Sequence, residues 1–396
     1  MQKKNIDSIE NTDKRTDPAF MADCVTVVLF VLFFIGIGIG LSVKKDGRFS
    51  EQENRYLAER PELSLSALRN GRFEEEYEAY LSDQFPFRNQ WITLRTATEL
   101  LLQKREVNGI YFAEDDYLIE LKDSGQYRSE QAEKNIRYLE EFVAGCSKEP
   151  DYSVSILLVP GKSEILRNKL PVFAGTPEER KIIEEIYDRC ELAECIDVYE
   201  ELEKHREEYI YYRTDHHWTT LGSYYGYKAW CNGTGIRENR PEDLVKTTVT
   251  ETFRGTLDSK VNLSFCSDSI DIVEPADPVG YTLVYDGGAM TKHTLFDMEK
   301  LDSKDKYGIF LGGNHSLIEI HTTVNNGKSL LLIKDSFANS FVPYLINQFE
   351  YIYVLDLRYY NQSLSEYLEK HRITDILILY SLWEFVQDEN VYKLKN

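Results

Sequence analysis

The sequence predicts an α/β protein: a doubly wound parallel sheet with flanking helices, preceded by one N-terminal transmembrane helix. Three observations carry this expectation. From residue 328 the chain runs "KSLLLIKDS", "FANSFVPYLINQF", "EYIYVLD", "SLSEYLEKH" and "ITDILILYS", which alternates strand and helix with short connections. That order pairs the strands in parallel, with the helices as crossovers. "YSVSILLVP" (152–160) reads as a further buried strand, ended by Pro160-Gly161. Finally, Cys24–Val43 is a run of 20 uncharged, mostly apolar residues. At 1.5 Å rise per residue it spans about 30 Å, the thickness of a hydrocarbon core.

The elements follow in order. Residues 1–23 form a polar tail, expected on the cytoplasmic side. The run 24–43 is long and carries Lys44-Lys45 directly after it, which fits an uncleaved signal anchor better than a removable signal peptide. Basic residues flank both ends (Lys14 and Arg15; Lys44, Lys45 and Arg48), so charge alone does not orient it. Long soluble domains translocate largely regardless of charge, so the remainder is the exported part. Residues 44–62 are a polar juxtamembrane linker, and 63–396 are the extracellular domain. Two or three helices are expected over 64–104, interrupted near Pro86. "NGIYFAEDDYLIE" (108–120) reads as a hairpin with an acidic turn. Ser129–Cys146 is helical, as is 177–190 with Pro177 near its first turn. Residues 232–330 read as an irregular insertion containing hairpins. Pro343 predicts a kink or an early break in "FANSFVPYLINQF".

Composition excludes some roles. A net charge of -21 argues against nucleic acid, whose phosphates reward clustered Lys and Arg. The acidity names no other partner. At 396 residues and 42% hydrophobic, the chain can build one large domain or two smaller ones. The six cysteines form no CxxC pair; Cys190 and Cys195 either bridge or remain buried thiols. Neither internal repeats nor low-complexity tracts occur.

Three stretches bear chemistry. Ser336 falls where a buried strand ends and a helix begins, the place where doubly wound sheets bind ligands. A serine there can act as a nucleophile with its own backbone N–H as an oxyanion donor; equally, Asp335 or Ser336 can simply be the helix N-cap. In "RTDHHWTTLG" the helix is expected to start near Thr219, leaving 213–218 extended. Residues i and i+2 of an extended chain share a face. Asp215 and His217 therefore pair as orienter and general base, while His216 points away in a structural role. A metal site is the competing reading, with His293, His315 and His321 available to complete a shell. Adjacent histidines on an extended chain face apart, and no HExxH or HxH spacing occurs, so no metal and no cofactor is expected. In "FLGGNHSLIEI" a strand is expected to run into Gly312-Gly313-Asn314. Gly313 and Asn314 either supply an oxyanion contact beside the serine or form an ordinary turn.

Taken together, "TDHHWT", "IKDSFANSFVPYL" and "VLDLRYY" resemble the DHHW-type proteins, relatives of the alginate O-acetylation proteins and, more distantly, of SGNH hydrolases. The block 49–92 ("FSEQENRYLAERP…GRFEEEYEAYLSDQFPFRNQWI") and "LLVPGKSEIL" resemble other parts of that family. The resemblance implies an SGNH-like core and a membrane anchor. It also implies O-acetyl transfer or removal on an extracellular polysaccharide, and a membrane-bound O-acyltransferase partner that delivers acyl groups. It places the family's Asp-x-His on Asp215 and His217 and its nucleophile on Ser336, and suggests that Arg358 contacts the glycan. Trp218 is expected to wall the site or to pack at the start of the helix. The chain departs from ordinary SGNH hydrolases, with Lys334 in place of the Gly before Asp-Ser and with the order Asp, His, Ser. Three functions remain on these residues: an O-acetyltransferase, an O-acetyl esterase with the same triad, and a non-catalytic glycan-binding or scaffolding subunit.

Overall fold

The computed structural model describes residues 18–50, 55–148, 152–175, 178–263 and 265–395. The start of the polar tail, with Lys14 and Arg15, and Pro177 lie outside them. The chain forms two compact units, residues 1–51 with 55–92 and residues 52–54 with 93–396. The division expected at residue 62 falls inside the first.

In the first unit the apolar run is one helix, Pro18–Val43, six residues longer at its start than the sequence suggested and with none of its residues buried. Its 26 residues are long and apolar enough to cross a membrane. Helices Leu65–Arg69 and Arg72–Gln84 follow; a third, Arg88–Leu101, starts after the break at Pro86 and continues past residue 92 into the second unit's sequence. Ser64 caps the first of these by accepting from Ala67 N–H.

The second unit holds an eight-stranded mixed sheet. In chain order its strands are β1 (Ser153–Val159), β2 (Glu194–Cys195), β3 (Tyr281–Tyr285), β4 (Met290–Lys292), β5 (Leu317–Thr322), β6 (Ser329–Lys334), β7 (Tyr351–Leu355) and β8 (Asp375–Ser381). Their spatial order is β4-β3-β5-β7-β6-β8-β1-β2. β7, β6, β8 and β1 are mutually parallel, as expected, and the short β2 joins them in parallel. The other three, β5, β3 and β4, extend the sheet antiparallel. The region 232–330 is therefore not an insertion beside the core, since it supplies β3, β4 and β5 to the sheet. It also forms a separate hairpin, Leu244–Phe253 with Asp268–Pro275.

The parallel strands are continuous apolar runs because both faces are covered. Leu330 and Leu332 of β6 enter one core with Leu377 and Leu379 of β8, while Leu331 and Ile333 enter the other with Ile376 and Ile378. Helix Thr220–Thr234 covers the first face; Glu130–Cys146 and Glu179–Arg189 cover the second. The chain leaving β6 packs on the first face through Phe337 and Phe341. The chain leaving neighbouring β8 packs on the second through Leu382 and Phe385. Departure in opposite directions opens a crevice at the carboxyl ends of these two strands. All six cysteines are free thiols, so Cys190 and Cys195 do not bridge.

Candidate active site

Ser336 stands at that crevice. The residue before it, Asp335, is the cap: one carboxylate oxygen accepts from Phe337 N–H at 2.9 Å, the other from the Ser381 N–H and hydroxyl, each at 2.8 Å. Capping falls to Asp335 and leaves the Ser336 hydroxyl free, 2.7 Å from His217 Nε2. The segment after it is not an α-helix but two 3-10 turns, Ser336–Ser340 and Val342–Leu345. Pro343 lies in the first turn of the second, where its missing N–H costs nothing.

Burial raises the Asp335 carboxyl to about 6, against the Ser381 hydrogen bonds that favour its charge. Between the ordinary value of 3.8 and about 6, the folded protein holds a proton that the unfolded chain has released. The group's stabilising share is complete below 3.8 and lost as pH rises through about 6. Urea titrations at a series of pH values should show wild type losing up to roughly 3 kcal/mol relative to Asp335→Asn across that window. Parallel curves would refute this.

His217 sits on a tight loop, not on an extended chain. Tyr211 and Trp218 form an antiparallel bridge, and the ladder continues through Tyr212 N–H to His217 O (3.2 Å) and Thr219 N–H to Ile210 O (2.9 Å). Residues 213–217 turn between them. The pairing arises instead from an Asx turn, in which an Asp side chain binds the backbone two residues on. Asp215 Oδ1 accepts from His217 N–H (3.0 Å) and lies 2.6 Å from His217 Nδ1. The turn does not throw His216 to the far side either. Its ring lies 3.9 Å from that of His217, and its Nδ1 lies 2.9 Å from Thr256 Oγ1.

The other Asp215 oxygen accepts from Thr256 N–H (2.8 Å) and Thr256 Oγ1 (3.1 Å). Burial alone would raise this carboxyl. The neighbouring His216 and His217 and the hydrogen bonds from His217 and Thr256 outweigh it and hold the group well below the usual range. Two further anchors fix the loop. Asp268 accepts from Arg213 N–H (2.7 Å) and Thr214 N–H (2.8 Å). Buried Lys162 donates to the carbonyls of Tyr212 (2.9 Å), Arg213 (3.3 Å) and Asp215 (2.8 Å). Burial lowers its ammonium to about 8.

Asp215, His216 and His217 each offer a ligand atom, all within 4.8 Å of one another. Both His217 nitrogens are already committed, Nδ1 to Asp215 and Nε2 to Ser336. A metal ion here would have to break one of those bonds.

The family of DHHW proteins matches residues 165–355, which carry the Asp215–Trp218 tetrad and Ser336. By this match residues 165–355 are a DHHW-type region. A DHHW family protein from Eubacterium siraeum is similar at 27% identity and TM-score 0.64, over 74% of this chain and 96% of that one. Bacillus cereus PatB1, solved with a sulfonyl adduct, is similar in fold at 21% identity and TM-score 0.59, over 72% of this chain and 100% of that one. The O-acetyltransferase domain of Pseudomonas putida AlgJ gives 11% identity and TM-score 0.47, over 73% and 99%. No curated protein matches the chain.

In this DHHW-type region the tetrad's tryptophan is a packing residue. Trp218 is 0% exposed and donates Nε1–H to Phe337 O (2.9 Å) and Ser340 Oγ (3.1 Å), tying the loop to the turn after Ser336. It cannot touch a glycan, so the wall-of-site alternative is corrected. Arg358 is likewise committed: its guanidinium is bidentate on Asp356, at 2.9 and 2.7 Å. Gly313 closes a turn by donating N–H to Phe310 O (3.1 Å), which removes it as an oxyanion donor. No strand runs into this turn; Leu311, Gly312 and Gly313 all have positive φ, and β5 follows it. Asn314 Oδ1 accepts from Lys334 Nζ (2.9 Å) and Asn339 Nδ2 (3.2 Å). Lys334 is thus a buried cation holding Asn314, Asn339 and Asp356.

Four partners went unread in the sequence. Tyr307 stacks on His217 (centroids 3.9 Å, 14° between planes) and donates its hydroxyl to Ser336 O at 3.0 Å. Lys162 and Thr256 hold the loop, and Gly255 makes room for Asp215. A cavity of about 250 Å³ opens alongside, walled by Lys162, His216, Thr256, Phe337, Ser381 and Trp383.

Proposed function

We propose that this DHHW-type protein is a membrane-anchored extracellular O-acetyltransferase for a cell-surface or secreted polysaccharide, acting through Ser336, His217 and Asp215. One observation carries the reading: an unbroken hydrogen-bonded line from Ser336 Oγ to His217 (2.7 Å) and from His217 to Asp215 (2.6 Å). His217 Nε2 takes the hydroxyl proton as Ser336 Oγ attacks the acetyl carbonyl, and returns it to the departing group. The acetyl ester on Ser336 is then attacked by a sugar hydroxyl, with His217 again accepting and returning the proton. Asp215 holds Nδ1–H and balances the imidazolium. The oxyanion meets the Ser336 N–H, with Asn314 as candidate second donor: Lys334 holds its carbonyl oxygen, and its amide N–H₂ has no partner among the described residues.

The apolar helix Pro18–Val43 fits the anchor, and the resemblance to alginate O-acetylation proteins suggests the polysaccharide and a membrane-bound O-acyltransferase as acyl source. Ser336 at the end of a parallel strand supports an SGNH-like reading of the α/β fold. The test uses a serine-directed fluorophosphonate, then an activated acetyl ester with an oligosaccharide acceptor, followed by mass spectrometry. Labelling at Ser336 and sugar-ester formation are expected. Acetate release without sugar ester would make the protein an esterase, and an unlabelled Ser336 would leave a non-catalytic subunit.

A further inference from the structure

A second cavity, of about 300 Å³, shares no lining residue with the cavity beside Ser336 and has no part in the chemistry above. Its size is at the lower end of the roughly 300–1,000 Å³ typical of small-molecule pockets. Its bed is tyrosine: Tyr209, Tyr224 and Tyr225, with buried Tyr344 beneath them. Tyr224 is tilted 56° to Tyr225 and 54° to Tyr344, with centroids 5.8 and 5.7 Å apart. These rings make a curved apolar surface, not the parallel slot that a planar aromatic ligand needs.

Most of the polar tips are already used. Tyr209 donates to Asp268, Tyr225 to Glu208 at 2.7 Å, and Tyr344 to Thr220 O at 2.8 Å. The Tyr224 hydroxyl finds no hydrogen-bond partner among the described residues. At the rim Lys246 pairs with Asp271 at 3.1 Å, so the single cation is neutralised and the site holds no surplus charge for an anion. Leu221, 38% exposed, lies at the mouth.

A curved apolar bed with a neutral donor–acceptor rim suits a ring that has apolar C–H faces and hydroxyl edges. We propose that this pocket binds a pyranose unit of a glycan chain, as a site separate from the reacting centre. Its wall is continuous with the DHHW loop: Thr219 and Thr220 directly follow Trp218, and Tyr209 shares Asp268 with Arg213 and Thr214. A bound sugar would therefore keep its polymer beside the segment that carries Asp215 and His217. The choice of a glycan as ligand rests on the reading under Proposed function, while the pocket itself does not.

The test uses the full chain in lipid nanodiscs, in a Ser336→Ala background so that no chemistry intervenes. Saturation-transfer difference NMR is run with cellotetraose, chitotetraose and mannotetraose, and with adenosine as a planar counter-probe. Saturable binding of at least one tetrasaccharide is expected, weakened at least tenfold by Leu221→Trp, which plugs the mouth, and several-fold by the exposed rim change Lys246→Ala. Binding that survives both changes, absence of tetrasaccharide binding, or a preference for adenosine overturns the proposal. Because Ser336 is already removed, failure of the acetyl-transfer reading leaves this result standing, and the two fail separately.

Discussion

Replacing Ser336 by alanine is expected to bring turnover of an activated acetyl ester down to the uncatalysed background, a loss of about 10⁴- to 10⁶-fold. His217→Ala should lose about as much, and the double variant no more than either alone. The reason is that the two groups act as one unit. Without the base, the hydroxyl stays protonated at neutral pH; without the hydroxyl, the base has nothing to deprotonate. In the structure they are joined by a single 2.7 Å contact, with no second base hydrogen-bonded to the Ser336 hydroxyl among the described residues. Steady-state rates on the three variants, with circular dichroism to verify folding, check the claim. Additive losses, or more than a tenth of wild-type activity in either single variant, would sink the shared mechanism. Tyr307, Asp215 and the Lys162 anchor would then be holding a histidine for some other purpose.

The second large effect lies on a residue with no chemistry of its own. Gly255 has ordinary φ and ψ of -86° and -161°, so its backbone does not require glycine. Space does. A Cβ there would stand 2.2 Å from both Asp215 Cβ and Oδ2, and 2.6 Å from Cγ. Real side chains do not approach so closely, and Asp215 is boxed in by His217 and Thr256, so the carboxylate must leave its place. Gly255→Ala should therefore behave like loss of the orienting acid. We expect kcat to fall by about 10³- to 10⁴-fold with Ser336 still present. Stability should fall too, because a buried carboxylate deprived of its donors costs several kcal/mol. Rates and urea midpoints, compared with Asp215→Asn, separate this from general unfolding. A folded Gly255→Ala variant with ordinary turnover would show that Asp215 does not need its present position.

The legible parts of this protein share a physical cause. The strand of "LLLIKDS" was readable because a parallel strand covered on both faces must be apolar at every position. The link between Asp215 and His217 was readable because it is local, two residues apart. The geometric reason offered by the sequence was nevertheless mistaken: an Asx turn makes the contact, where an extended chain was expected. The antiparallel strands β3 and β5 were hidden because each leaves part of one face open to solvent. Their mixed polar pattern then resembles an irregular loop, and 232–330 read as an insertion.

The sequence by itself determined the apolar N-terminal helix, the parallel pairing of the last strands, and the three residue types whose side chains meet at the crevice. Each of these depends on periodicity, or on neighbours a few residues apart. The tertiary structure alone decided which residues surround them. Thr256 reaches Asp215 from 41 positions away, Lys162 from 53, and Ser336 meets His217 from 119. Tyr307 and Gly255 carry no local mark of their role. Their positions follow from how the sheet folds the 253–310 region against the DHHW loop, and contacts across such separations leave no period in the chain for a reader to find.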